Sequence, residues 1–267
     1  MIERHGCFPP DMLPARDHAG AMNKSEVKVA LVTGGSRGIG AAVALRLARE
    51  GTDVVLTYER DSESAAKVVD RIRAEGRRGL AIKADSADVA AVTGAVDEAA
   101  ATFGALDVLV NNAGVFLVGP AEDLGPAEFD RTMAVNVRAP FVASQAAARH
   151  MGNGGRIVSI GSNVAERTPF PGFSLYAMSK TALIGMTKGL ARDLGPRGIT
   201  VNLVHPGPTD TDANPADGPN ADMIRGLTAL GHYAEPDDIA ATVTYLTGTD
   251  ARYITGTTIS VDGGFAA

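Results

Sequence analysis

The sequence predicts an α/β fold in which a parallel sheet is covered by helices on both faces. Two observations carry the prediction. Apolar, β-branched runs recur along the chain, and Ala-rich segments of helical spacing separate them. Strand, helix and strand repeated in this way imply right-handed crossovers and a buried parallel sheet. A third observation, a cluster of glycines between the first run and the first helical segment, fits the same pattern.

In order, the strand candidates are "VKVALVT" (27–33), "DVVLTY" (53–58), "GLAIKA" (79–84), "LDVLVN" (106–111), "RIVSI" (156–160), "ITVNLV" (199–204) and "TISV" (258–261). Between them "GIGAAVALRLAREG", "SESAAKVVDRIRAEG", "DVAAVTGAVDEAAATFG" and "SLYAMSKTALIGMTKGLARDLG" have helical character. Gly51, Gly76, Gly104 and Gly195 stand where these helices should end. No composition shift divides residues 27–267, which are expected to form one domain. Residues 1–26 mix both charge signs with prolines and show no period. They are expected to be a disordered extension, or sequence upstream of a start at Met22. Residues 205–223, rich in Pro, Asp, Asn and Gly, read as a disordered insert or a lid over a site.

Composition sets limits on function. The 267 residues are 45% hydrophobic and 21% charged, with a formal charge of −6. That balance argues against nucleic acid and anionic membrane surfaces as partners. Cys7 is the only cysteine, so neither an intrachain disulfide nor a cysteine metal site is expected. The five His show no ligand-like spacing, and no metal is expected. Every apolar run is too short to span a bilayer, and the opening residues lack a secretory signal's apolar core. The expected location is the cytoplasm.

The glycine cluster has a physical use. In "TGGSRGIG", Gly34 and Gly35 permit a sharp exit from the strand, Gly38 admits a pyrophosphate to the backbone, and Gly40 permits close packing. Ser36, Arg37 and Ile39 lie in the same turn, and the helix that follows offers free N–H groups to phosphate oxygens. A glycine-rich turn without a ligand fits the spacing too. After the fourth strand, Asn112, Ala113 and Gly114 would line a cleft, or merely close a tight turn. Pro206 and Gly207 follow the sixth strand.

Tyr176 and Lys180 stand one helical turn apart on one face. An ammonium beside a phenol lowers its pKa toward the range useful for proton transfer. Spacing alone also admits an aromatic residue at a helix edge beside a solvated lysine.

Taken together, "TGGSRGIG", "NNAG" (111–114), "YAMSK" (176–180), "HPG" (205–207) and the closing "VDGG" resemble the short-chain dehydrogenase/reductase family, across residues 27–264. The resemblance implies a single-domain, doubly wound Rossmann fold with a seven-stranded parallel sheet. It also implies a nicotinamide dinucleotide and hydride transfer between alcohol and ketone. By the same resemblance Ser162 binds the substrate oxygen, Tyr176 exchanges the proton, and Lys180 holds the nicotinamide ribose. Asn136 holds a water beside that lysine. Asp85 reads the adenine with Ser86 beside it, and Asn112, Ala113 and Gly114 lie on the adenosine side. Pro206 and Gly207 lie next to the nicotinamide, Thr209 bonds the carboxamide, and Thr211 contacts the amide or phosphates. Ser159 is expected to be structural and His205, placed in a loop, incidental.

For the cofactor, Tyr58 stands where NAD-preferring members carry Asp, and Arg37 can fork onto a 2′-phosphate. Both favour NADP, whereas Glu59 keeps NAD in play, with Arg60 offsetting its charge. The chain is similar to 3-oxoacyl-[acyl-carrier-protein] reductases, and equally to sugar and secondary-alcohol dehydrogenases. An idle dinucleotide-binding redox sensor is the rival reading. A homotetramer built through the long helices and the C-terminal strand is expected.

Overall fold

Seven strands form one sheet, every pairing parallel, in the order β3-β2-β1-β4-β5-β6-β7. The computed structural model describes residues 27–267; the extension expected over 1–26, with Cys7, lies outside the described residues. The strands are β1 (Val29–Val32), β2 (Asp53–Tyr58), β3 (Gly79–Lys83), β4 (Val108–Asn111), β5 (Arg156–Ile160), β6 (Thr200–Pro206) and β7 (Thr258–Val261). The helices are α1 (Gly38–Arg49), α2 (Ser62–Ala74), α3 (Val89–Phe103), α4 (Pro126–Met133), α5 (Ala139–His150), α6 (Ser174–Leu194), α7 (Ala221–Arg225) and α8 (Pro236–Thr247).

Alternation along the strands explains the two layers. Ala30, Val32, Val54, Leu56, Val108 and Val110 face one side and pack on Val43, Leu47, Ile72, Val243 and Leu246 from α1, α2 and α8. Leu31, Val55, Leu109, Ile157 and Val201 face the other and pack on Val92, Val96, Ala143 and Leu190 from α3, α5 and α6. Because side chains alternate with a period of two, central strands buried on both faces need apolar residues throughout. Leu31, Leu56, Leu109 and Ile157 are fully buried, each contributing roughly 1.5–3 kcal/mol. No described helix is long and apolar enough to cross a membrane.

The glycines expected at helix ends stand there, and two expectations about the elements are corrected. Gly104 caps α3 in the left-handed region, and Gly51 and Gly76 take positive φ just past α1 and α2. Gly195 caps α6 while staying right-handed, and the chain runs through a further turn to Gly198, whose φ is 70°. The sixth strand extends through His205 to Pro206, so His205 is a strand residue and is wholly buried. The irregular stretch after β6 is partly ordered by α7 and by a bridge between Thr211 and Asn214.

Candidate active site

The sheet order reverses direction between β1 and β4, and a crevice opens outside the carboxyl ends of parallel strands at such a point. A cavity of about 890 Å³ lies there, lined by residues that follow each of the seven strands. Its walls include Gly34, Ser36, Arg37, Gly38, Ile39, Gly40, Tyr58, Ser86, Asn112, Ala113, Gly114, Ser162, Tyr176, Lys180, Pro206, Gly207, Thr209 and Thr211. Of the residues expected at the site from sequence, only Asp85 and Asn136 do not line it.

The glycine turn is stitched to the turn after β4. Gly34 takes φ 63° and donates its N–H to Thr57 Oγ1 at 3.0 Å. Thr33 Oγ1 accepts from the N–H groups of Asn112 (2.9 Å) and Ala113 (3.0 Å). The Asn112 amide donates back to the carbonyls of Thr33 (2.9 Å) and Gly34 (3.0 Å). Asn112 therefore lines the cleft, while its amide ties the two turns together. A Cβ on Gly40 would overlap that amide and the Gly34 carbonyl, so its close approach is to the joined turns rather than to a strand. Gly38 has φ 53°, and its missing Cβ would point at the Thr211 methyl, 3.4 Å away. α1 begins here with no side-chain cap and no acid in its first turn. Open N–H groups and a positive dipole end thus face the cavity.

At the β2 end, Glu59 is paired with Arg60 (3.2 Å) and Arg131 (3.3 Å). Asp61 caps α2, accepting from the Ser64 N–H at 2.9 Å. Both carboxylates are thus held by other groups, while the exposed Arg37 makes no ion pair among the described residues. The expected adenine role of Asp85 meets a different geometry. Its carboxylate accepts from the Ala87 N–H (2.8 Å) and from Arg131 (3.1 Å), so Ala84 and Ser86 line the cavity instead. The Ala87 N–H, helped by Arg131, holds that carboxyl below its usual range against partial burial. Arg131 was missed by sequence reasoning; a single arginine on α4 carries no local signal.

At the other end, α6 places Tyr176 in its first turn and Lys180 one turn along, as the spacing predicts. Lys180 is only 5% exposed and donates from Nζ to the Ile160 carbonyl at 3.1 Å. Burial pulls its ammonium down to about 8. Its Nζ lies 5.7 Å from the centroid of the Tyr176 ring. The net direction differs from the lowering expected beside Lys180: burial of Tyr176 pushes the phenol up, with a hydrogen bond to Ser162 opposing. The phenol is therefore kept in its neutral, proton-donating form.

Ser162 follows β5 with extended backbone and caps a short turn over residues 163–165. Its Oγ accepts from the Val164 N–H at 3.4 Å and donates to Asn163 Oδ1 at 3.3 Å. Ser159 is buried, its Oγ accepting from Asn111 at 3.3 Å, which suits the structural role expected of it.

Asn136 lies in a π-helical turn, Ala134–Arg138, between α4 and α5. Such turns shift the hydrogen-bond pairing by one residue and recur at functional sites. Its Oδ1 accepts from the Val115 N–H (2.9 Å), and its Nδ2 donates to the Val115 carbonyl and to Ser179 Oγ (both 3.0 Å). Both ends of the side chain are bonded within the protein, so it holds the Val115 backbone in place and does not line the cleft.

Buried His205 lies behind Gly161, where a Cβ would come within 2.5 Å of the imidazole. Its Nδ1 is 3.7 Å from Glu166. Burial lowers the imidazole pKa, with Glu166 opposing. Thr209 is buried, its Oγ1 donating to the Gly207 carbonyl at 3.0 Å.

A crevice with a glycine turn and open helix N–H groups near one end and a phenol, hydroxyl and buried ammonium at the other has the arrangement of a nucleotide-dependent oxidoreductase. The chain belongs to the short-chain dehydrogenase/reductase family, and the family model described as enoyl-(acyl carrier protein) reductase matches residues 34–266. It is 60% identical to a short-chain dehydrogenase of Burkholderia cenocepacia solved in complex with NADP. That match has a TM-score of 0.90 and covers 92% of this chain and 100% of that one. A blue fluorescent protein from a metagenomic library, solved in complex with NADPH, is 56% identical with a TM-score of 0.88, covering 90% of this chain and 98% of that one. Among curated proteins, the cyclic-di-GMP-binding biofilm dispersal mediator protein of Escherichia coli is 45% identical over 240 residues, 90% of this chain and 98% of its own length.

Proposed function

We infer that the protein reduces a ketone carbonyl with NADPH, and runs in reverse as an alcohol dehydrogenase. The observation that carries this reading is the convergence of Ser162, Tyr176 and Lys180 at one end of the cavity whose glycine turn and Arg37 line it elsewhere. Bound there, the nicotinamide supplies the hydride that reduces the carbonyl carbon. The α1 N-terminus with Gly38 and Ser36 would hold the pyrophosphate, Arg37 the 2′-phosphate, and Lys180 the nicotinamide ribose. Pro206, Gly207, Thr209 and Thr211 would flank the carboxamide. Ser162 orients the substrate oxygen and stabilises the charge that develops on it. Tyr176, held neutral by burial, donates the proton from its hydroxyl to that oxygen. Lys180 then favours the phenolate left behind, and Asn136 keeps the Val115 backbone in register beside it.

Engagement of Glu59 and Asp61 by other groups supports NADP over NAD. The test compares NADPH and NADH oxidation with 2,3-butanedione, in the wild type and in Arg37→Ala. NADPH is expected to be preferred, and the variant to lose about 10- to 100-fold of that preference. Equal use of both cofactors by the wild type would remove Arg37 from the account. An acetoacetyl thioester in the same assay examines the finer reading, a 3-oxoacyl thioester reductase.

A second reading, nucleotide binding without turnover, draws on the name of the Escherichia coli relative. The complete catalytic set counts against it. Assembly as a homotetramer is supported by the exposed Phe129, Phe141 and Met178 on α4, α5 and α6, and by β7 at the sheet edge. Sedimentation at assay concentration should give four chains, and a monomer would exclude it.

A further inference from the structure

Aromatic rings run outward from the reacting centre in a contiguous wall. Phe116 meets Tyr176 edge to face, with centroids 4.8 Å apart and planes at 87°. It meets Phe173 at 5.5 Å and 68°, and Phe173 meets Phe170 at 5.6 Å and 46°. All four rings line the cavity. Phe116 is nonetheless 51% exposed. The backbone just before it is already fixed, because Asn136 binds both the N–H and the carbonyl of Val115. A half-exposed benzyl group beside the catalytic phenol is apolar area that a ligand would bury with gain.

Charge lies elsewhere in the cavity. Glu59, Arg60 and Arg131 are linked by ion pairs at the β2 end, and Arg37 acts on Asp61. Asp212 follows Thr211, which packs over Gly38. Lys180 is buried with its ammonium on the Ile160 carbonyl. Arg167 is not part of the lining; it donates to the Phe265 carbonyl at 2.6 Å. Apart from Lys180, whose ammonium lies 5.7 Å from the Tyr176 centroid and is bonded to the Ile160 carbonyl, no lysine or arginine in the cavity lining contacts these rings. An anion set against Phe116, Phe170 and Phe173 would lose hydration with little compensation.

We propose that this wall selects uncharged carbonyl compounds bearing an aryl ring next to the carbonyl, with Phe116 as the selecting residue. The proposal rests on the carbonyl-reductase reading. Ring–ring contacts of the edge-to-face or offset kind contribute beyond area burial, and a linear 3-oxoacyl chain would not make them.

The test measures kcat/KM with NADPH for ethyl benzoylformate, ethyl pyruvate and benzoylformate, in the wild type, Phe116→Ala and Phe116→Tyr. The two esters differ only in phenyl against methyl at the ketone. Conjugation makes the phenyl ketone the less electrophilic, so a preference for it must come from the protein. The aryl ester is expected to exceed ethyl pyruvate by about tenfold or more, and to exceed the benzoylformate anion similarly. Phe116→Ala should cut the aryl-to-methyl ratio about threefold to tenfold, chiefly through KM, and Phe116→Tyr should retain it. Equal values for the two esters, or a ratio unmoved in Phe116→Ala, would overturn the proposal while carbonyl reduction stands. No reduction of either ester by protein that binds NADPH would overturn the carbonyl-reductase reading and the proposal with it.

Discussion

Lys180 shows what a single residue must endure at this site. Its ammonium is buried against one carbonyl, and burial lowers its pKa to about 8 from the ordinary 10.5. Below pH 8 the folded and unfolded chains both carry the proton, and the folded one bears the full cost of burying it. Between about 8 and 10.5 the folded chain has released a proton that the unfolded chain still holds, so this group's contribution makes stability rise with pH. Lys180→Met should therefore be more stable than the wild type at pH 7, by a margin that shrinks from pH 8 to pH 10. Urea unfolding at those values measures it, and a margin that stays constant or widens would contradict the burial argument. The Tyr176–Lys180 pair was legible in the sequence because helical spacing alone puts both on one face. The direction of the Tyr176 shift was not, because burial comes from Phe116 and other residues distant in the chain.

Among the elements, those with a local signal were read correctly and those set by tertiary contact were not. α6 was read from residue 174 to within a residue of its end, and of the two glycines expected at the exit from β1, Gly34 takes the positive φ. The π turn at Asn136 has no local signature, since it is fixed by the side chain's grip on Val115, 21 residues earlier. The end of β6 was placed too early because Pro206, which lacks an N–H, looked like a loop signal. A proline can stand as the last strand residue, where the ladder stops needing its donor. Phe116 followed a turn and resembled any apolar loop residue until packing set it beside a tyrosine 60 positions on. At this scale Gly40→Ala is the informative change. The added methyl meets the Asn112 amide and the Gly34 carbonyl, a backbone atom that cannot swing away. We expect a loss of about 1–3 kcal/mol in unfolding free energy, with weakened NADPH binding in a fluorescence titration. A variant with wild-type stability and affinity would show that the two turns are not rigidly joined.

The whole molecule is a parallel sheet whose change of direction between β1 and β4 opens one crevice. Segments that follow all seven strands furnish its walls. That architecture was legible from alternation and glycine placement, because each strand–helix unit carries its own pattern. The contents of the crevice were legible only in part, since the Arg131 ion pairs and the aromatic wall join residues that no spacing rule relates. The central claim is that this crevice performs carbonyl reduction through the Tyr176 phenol. Its most direct test is NADPH oxidation, followed by absorbance with a saturating keto ester, in the wild type and Tyr176→Phe, alongside NADPH affinity by fluorescence. The account predicts that kcat falls by about 10²- to 10⁴-fold in the variant while NADPH affinity is retained. Turnover by Tyr176→Phe at the wild-type rate would contradict it.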